Sequence, residues 1–116
     1  MKFDKIENLK KISENEKKAL EKLYKLTKNR WPDAEFMIFG SKATGNSDNE
    51  SDLDLLVLLP SKITQQIKQE IIHQVFEINM EYDTNISPLI ISKEDWHGRL
   101  SILPIYYFIQ KEGIAI

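Results

Sequence analysis

The chain of 116 residues has no cysteine. That excludes a disulfide scaffold and any zinc site built on thiolates. Histidine occurs twice, His73 and His97, with no metal-ligand spacing between them. No apolar run approaches the roughly 18 residues of a membrane-spanning helix, and the opening "MKFDKIENLKKISENEKK" has no signal-like apolar stretch. The expectation is therefore a cytoplasmic protein. Neither sign of charge is in excess: 16 basic against 18 acidic residues leave a net charge of −2, which argues against nucleic acid as a direct partner. No internal repeat or low-complexity tract interrupts the chain.

What is present suits one domain. A chain of this length buries roughly two-thirds of its unfolded surface, and 41% hydrophobic residues are too many for a disordered polypeptide. We expect a single domain over 1–116, with 1–12 as a short helix or a loosely held extension. Ser13 and Glu16 have capping-box spacing, and Leu20, Leu23, Tyr24 and Leu26 form an apolar stripe after them. Pro32 should end that helix near Arg30 or Trp31. Strands are expected at "AEFMIFG" and "LDLLVLLP", then a helix capped by Ser61 with Ile63, Ile67, Ile71 and Val75 on one side. A third strand is expected around "EYDTNISPLIIS", at an edge or with a bulge because of Pro88. Ser92 and Asp95 cap a short helix, Pro104 opens a last one, and "IAI" adds an edge strand. The loop between the first two strands is too short for a crossover helix. The fold class is therefore α+β, a small mixed or antiparallel sheet with helices packed on it.

The stretch "FGSKATGNSDNESDLDLLVLLP" carries the chemistry. On a strand, Asp52 and Asp54 project from one face while Leu53 and Leu55 take the other. Two carboxylates about 7 Å apart on a pleat repel each other. A hard cation such as Mg²⁺ removes that repulsion. Two such ions about 4 Å apart can hold both the attacking and the leaving oxygen of a phosphoryl displacement. Gly40 lets backbone approach a ligand closely, and Ser41 adds a hydroxyl beside it.

This pattern resembles the signature of the nucleotidyltransferase superfamily related to DNA polymerase beta. More narrowly, Gly40, Ser41, Ala43, Gly45, Ser51, Asp52, Asp54 and Leu55 are similar to the motif of minimal nucleotidyltransferases (MNT). The likeness extends over residues 34–116, through "ISPLIISKEDW" and "KEGI". It implies a small mixed sheet with helices on one side. It also implies a reaction: transfer of a nucleoside monophosphate, AMP from ATP as the first expectation, to a hydroxyl. Asp52 and Asp54 would hold two Mg²⁺ ions. Gly40 and Ser41 would receive the triphosphate, with Lys42 and Ser51 beside them. Thr44 stands where many members carry arginine, and Lys42 is the candidate replacement. A third carboxylate is expected on the next strand; Asp83 is the first candidate, with Glu81 and Asn85 sharing its parity.

With no room for an acceptor domain, a partner is expected to present the hydroxyl. By the same resemblance, the partner is a small helical HEPN-type toxin, the modification AMPylation of a tyrosine, and this chain the antitoxin. The alternative is a weak or inactive module that neutralises its partner by covering it. Among other residues, Trp31, Trp96 and both histidines are read as structural. Tyr106, Tyr107 and Phe108 are consecutive and cannot all face one core, so that helix is a candidate partner surface.

Overall fold

The computed structural model describes residues 12–45 and 52–116. Helix α1 (Glu14–Arg30) starts at a complete capping box. The Ser13 hydroxyl accepts from the Glu16 N–H at 3.1 Å, and the Glu16 carboxylate accepts from the Ser13 N–H at 3.0 Å. The helix ends at Trp31, as the proline at 32 requires. Its buried stripe runs Leu20, Leu23, Thr27. Leu26 is 41% exposed, off the expected stripe, because successive steps of three and four residues from Leu23 lead to positions 26 and 27 and the sheet lies under the second.

Strand β1 (Glu35–Phe39) leads into a single helical turn, α2 (Ser41–Thr44), and strand β2 (Leu53–Leu59) follows. Helix α3 (Gln65–Tyr82) carries the chain across to β3 (Ile86–Ser92). A short helix α4 (Lys93–His97), a 3₁₀ turn (Arg99–Ile102), helix α5 (Pro104–Glu112) and strand β4 (Ile114–Ala115) complete the described chain. The sheet order is β3-β2-β1-β4. β1 is antiparallel to both β2 and β4, while β2 and β3 are parallel. The sheet is mixed because helix α3 gives β2 and β3 the long crossover that parallel neighbours need, whereas the short β1–β2 connection leaves that pair antiparallel. Pro88 lies on β3, an edge strand, where its missing N–H costs no ladder bond.

Two boundaries differ from expectation. Thr64, not Ser61, caps α3, its hydroxyl accepting from the Ile67 N–H at 3.1 Å. At the other end α3 runs on to Tyr82, through residues expected to open the third strand. Asn79 explains the late turn. Its side-chain amide donates to the Ile86 carbonyl, and its carbonyl accepts from the Ile86 N–H and the Thr84 hydroxyl. That clamp holds 83–85 as a turn between helix and strand.

The sheet is also covered on both faces rather than one. Leu53, Leu55, Val57 and Leu59 pack with α1 and α3 in the larger core. Leu56 and Leu58 pack with Trp96 of α4 and Ile109 of α5 in a smaller one. The run "LLVLL" has no polar alternation, and such a strand needs apolar cover on both sides. Asp52 and Asp54 have the parity of Leu56 and Leu58, so they occupy the open end of the face that α4 and α5 cover elsewhere.

Candidate active site at the mouth of β2

The antiparallel pairing of β1 with β2 sets Phe39 opposite Asp54. Gly40 then sits directly beside the Asp54 carboxyl. A Cβ built on Gly40 would come within 2.4 Å of Asp54 Oδ2. Gly40 also has φ 74° and ψ −157°, a region open essentially to glycine alone. Both the backbone turn and the approach of the carboxyl therefore require glycine here. This contact ties the Gly-Ser turn to the Asp-x-Asp strand, twelve residues apart in sequence.

Asp54 is half-buried. Burial, and then the charge of Asp52, push its carboxyl above its ordinary value of 3.8. Asp52 is exposed at the strand mouth, where its Oδ1 accepts from the Asn85 side-chain amide at 2.5 Å. The backbone locks that neighbour in place, since the Leu53 N–H donates to the Asn85 carbonyl at 3.0 Å. The parallel register continues from there, setting Ser87 beside Asp54. One end of the sheet thus gathers Gly40, Asp52, Asp54, Asn85 and Ser87.

The expected third carboxylate is not placed as the parity argument required. Asp83 is the left-handed C-cap of α3 (φ 54°, ψ 52°), exposed and off the strand. Glu81 is on the last turn of α3, where it pairs with Lys22 at 2.5 Å. Strand alternation cannot relate residues on a helix and its cap. Of the three candidates, only Asn85 joins Asp52, and it is an amide. Among the described residues, no group of three or more His, Asp or Glu is arranged to hold a metal ion.

Of the triphosphate-side residues, Ser41 is half-buried as the first residue of α2. Lys42 is 1% exposed, and its ammonium donates to Glu16 at 3.3 Å, beneath the capping box of α1. One helical turn aims residues 41 and 42 about 100° apart, so a lysine directly after the serine points inward. The Thr44 hydroxyl lies over the Gly40 and Ser41 carbonyls. Ser51 lies outside the described residues. Sequence reasoning missed Ser87 and the Gly40–Asp54 contact, because strand register has no local signal.

Asp52 and Asp54 fit a hard divalent cation. They are two like-charged acceptors on one face, one of them short of solvent, beside a glycine that leaves room. Together the mixed sheet and this acidic mouth define a nucleotidyltransferase domain of the polymerase-beta-like kind. A solved structure described provisionally as a nucleotidyltransferase, from Sulfolobus solfataricus, has the same fold: the TM-score is 0.56 over 84% of this chain and 76% of that one, at 15% identity. The chain belongs to the family described as "Poly(A) RNA polymerase, mitochondrial-like, central palm domain", whose model matches residues 1–89. A protein from Methanocaldococcus jannaschii, provisionally named a protein adenylyltransferase, is 42% identical over 57 residues. That match covers 49% of this chain and 58% of the relative's length. No described helix is long and apolar enough to cross a membrane.

Proposed function

We propose that this chain is a Mg²⁺-dependent nucleotidyltransferase that moves AMP from ATP to a hydroxyl on a partner protein. The observation that carries the reading is the Asp52–Asp54 pair closed against Gly40. Bound there, Mg²⁺ would neutralise phosphate charge and polarise the phosphorus under attack. The protein's own part is positioning. Gly40 and Ser41 seat the triphosphate, and Asp52 and Asp54 hold the cation. Asn85 holds Asp52 in place through its amide. The acceptor oxygen forms a bond to the α-phosphorus. The bond from that phosphorus to the bridging oxygen breaks, and pyrophosphate leaves with the electron pair. Asn85 is an amide and takes no proton, so the hydroxyl's proton passes to a carboxylate of the Asp52–Asp54 pair or to water.

The name of the Methanocaldococcus relative supports a protein acceptor. The exposed apolar residues of α5, Tyr107 and Phe108 among them, support a partner surface next to the site. The MNT likeness supports a HEPN-type toxin with a tyrosine acceptor, in the cytoplasm, as that partner. A second reading is favoured by Asn85 itself: without a third carboxylate, the domain would bind nucleotide weakly and act by covering its partner.

Labelled ATP, Mg²⁺ and the co-expressed partner separate the two readings. Transfer of label to the partner by wild type, and none by Asp52→Asn or Asp54→Asn variants that melt no lower than the parent, is the expected result. Full transfer by either variant would remove the pair from the chemistry. A tight complex with no labelling would leave the covering module.

A further inference from the structure

Beside Gly40 lies a cavity of about 280 Å³, lined by Phe39, Gly40, Ile105, Phe108, Ile109 and Glu112. We infer that it seats the base of the bound nucleotide, that the base is a purine, and that Glu112 reads its hydrogen-bonding edge. The inference rests on the transferase reading, which makes Gly40–Ser41 the triphosphate seat.

Place is the first argument. The cavity shares Gly40 with the acidic site, so a group filling it is within reach of phosphates on that turn. Size is the second. Pockets that hold whole small molecules run from about 300 Å³ upward. This one, just below that range, has room for one ring system and leaves the phosphates outside, toward Asp52 and Asp54. Chemistry is the third. Phe108 is 57% exposed and Ile105 42% exposed, apolar surface that the chain's own core leaves in water. Every base has a flat face that stacks on an aromatic ring, and a double ring covers more of this wall than a single one. The wall is anchored, because Ile109 is buried in the smaller core and accepts the Gly113 N–H at 2.7 Å. It is built by α5, beyond the residues 1–89 that the family model matches.

The one ionisable side chain of the lining is Glu112, which has no ion pair or side-chain hydrogen bond among the described residues. A carboxylate only accepts. Guanine offers it two adjacent donors, N1–H and the 2-amino group, and adenine offers its 6-amino group. Uracil flanks its one N–H with two carbonyls whose lone pairs face the carboxylate. The carboxylate therefore admits ATP and GTP and disfavours UTP; cytosine's 4-amino group would satisfy it as adenine's does, so CTP is disfavoured by its smaller single-ring stacking face alone.

The test is calorimetric titration of the full chain, in Mg²⁺, with ATP, GTP, CTP, UTP and inorganic triphosphate. Wild type is compared with Phe108→Ala and Glu112→Gln, two exposed positions whose melting curves should match the parent. ATP and GTP should bind at least about tenfold more tightly than UTP, and more tightly than CTP. Phe108→Ala should weaken both purine nucleotides by about tenfold or more, leaving inorganic triphosphate unchanged. Glu112→Gln should shrink the preference over UTP, because an amide both donates and accepts. Equal binding of all four nucleotides, CTP binding as tightly as ATP, or equal loss of nucleotide and inorganic triphosphate in Phe108→Ala, overturns the base assignment while the phosphate seat stands. No binding of triphosphate or nucleotide to wild type removes the phosphate seat, and the base assignment with it.

Discussion

Replacing Gly40 by alanine tests the contact on which the site is built. Two costs are expected, and they separate. The backbone at φ 74°, ψ −157° is essentially closed to residues with a Cβ, which costs about 1–3 kcal/mol. The new Cβ would also stand 2.4 Å from Asp54 Oδ2 and 3.3 Å from Asp54 Cγ, so the carboxyl must swing away. In an Asp54→Ala background those atoms are gone, and the remaining neighbour, the Asp54 Cβ at 3.6 Å, makes an ordinary contact. The alanine should then cost the backbone strain alone. Thermal unfolding of the four proteins in a double-mutant cycle reads the difference as a coupling energy, expected at about 1 kcal/mol or more. Gly40→Ala alone should lower the melting temperature by several degrees, at about 4–8 °C per kcal/mol for a domain near this size. It should also weaken Mg²⁺-ATP binding by displacing Asp54. A variant that melts with the parent would refute the backbone conformation. Equal costs in the two backgrounds would refute the Gly40–Asp54 approach.

Other expectations follow from the same geometry. Asp54 binds its proton more tightly folded than unfolded, so its stabilising contribution is full below about pH 3.8 and is lost as pH rises through its folded value. Asp54→Asn should thus be at least as stable as wild type at pH 7, by a fraction of a kcal/mol given its partial exposure (about 0.5), with the gain absent below pH 3.8; denaturant titrations across pH check it, and a loss at pH 7 contradicts the cause assigned. Lys42→Met removes one partner of the buried Glu16 pair and should cost about 3 kcal/mol, the low end for such pairs because Glu16 keeps the Ser13 N–H. Its affinity for Mg²⁺-ATP, measured under conditions where it is folded, should stay unchanged; intact stability with lost affinity would return Lys42 to the nucleotide. Asn85→Asp puts a third carboxylate beside Asp52 and should tighten Mg²⁺ binding by about tenfold, since affinity for hard cations rises with ligand charge. Unchanged Mg²⁺ titrations would mean that position 85 does not face the cation.

Several features were legible because their causes are local. A capping box needs only residues 13 and 16, and the structure shows both of its hydrogen bonds. The two strands around the Gly-Ser turn follow from their apolar runs, and the opposite facing of Asp54 and Leu55 from strand alternation. The misreading of Asp83 shows where local reasoning stops. "EYDTN" reads as strand-like once β-branched residues follow it, but Asn79, six residues before Asn85, holds the segment as helix end and turn. Parity counted from the strand then gave Glu81 and Asp83 a direction that helical residues do not have.

By itself, the amino-acid sequence determined the α+β composition and the pairing of a Gly-Ser turn with an acidic, leucine-backed strand. Those are matters of periodicity and of residues near one another in the chain. Tertiary structure alone decided which groups meet: Asp54 against Gly40 through antiparallel register, Asn85 against Asp52 through the parallel strand, Lys42 turned inward to Glu16, and Glu112 brought to the same turn. Each of those contacts depends on strand pairing or helix packing between segments more than ten residues apart. Shifting a register by one residue would exchange every face while leaving the local pattern unchanged.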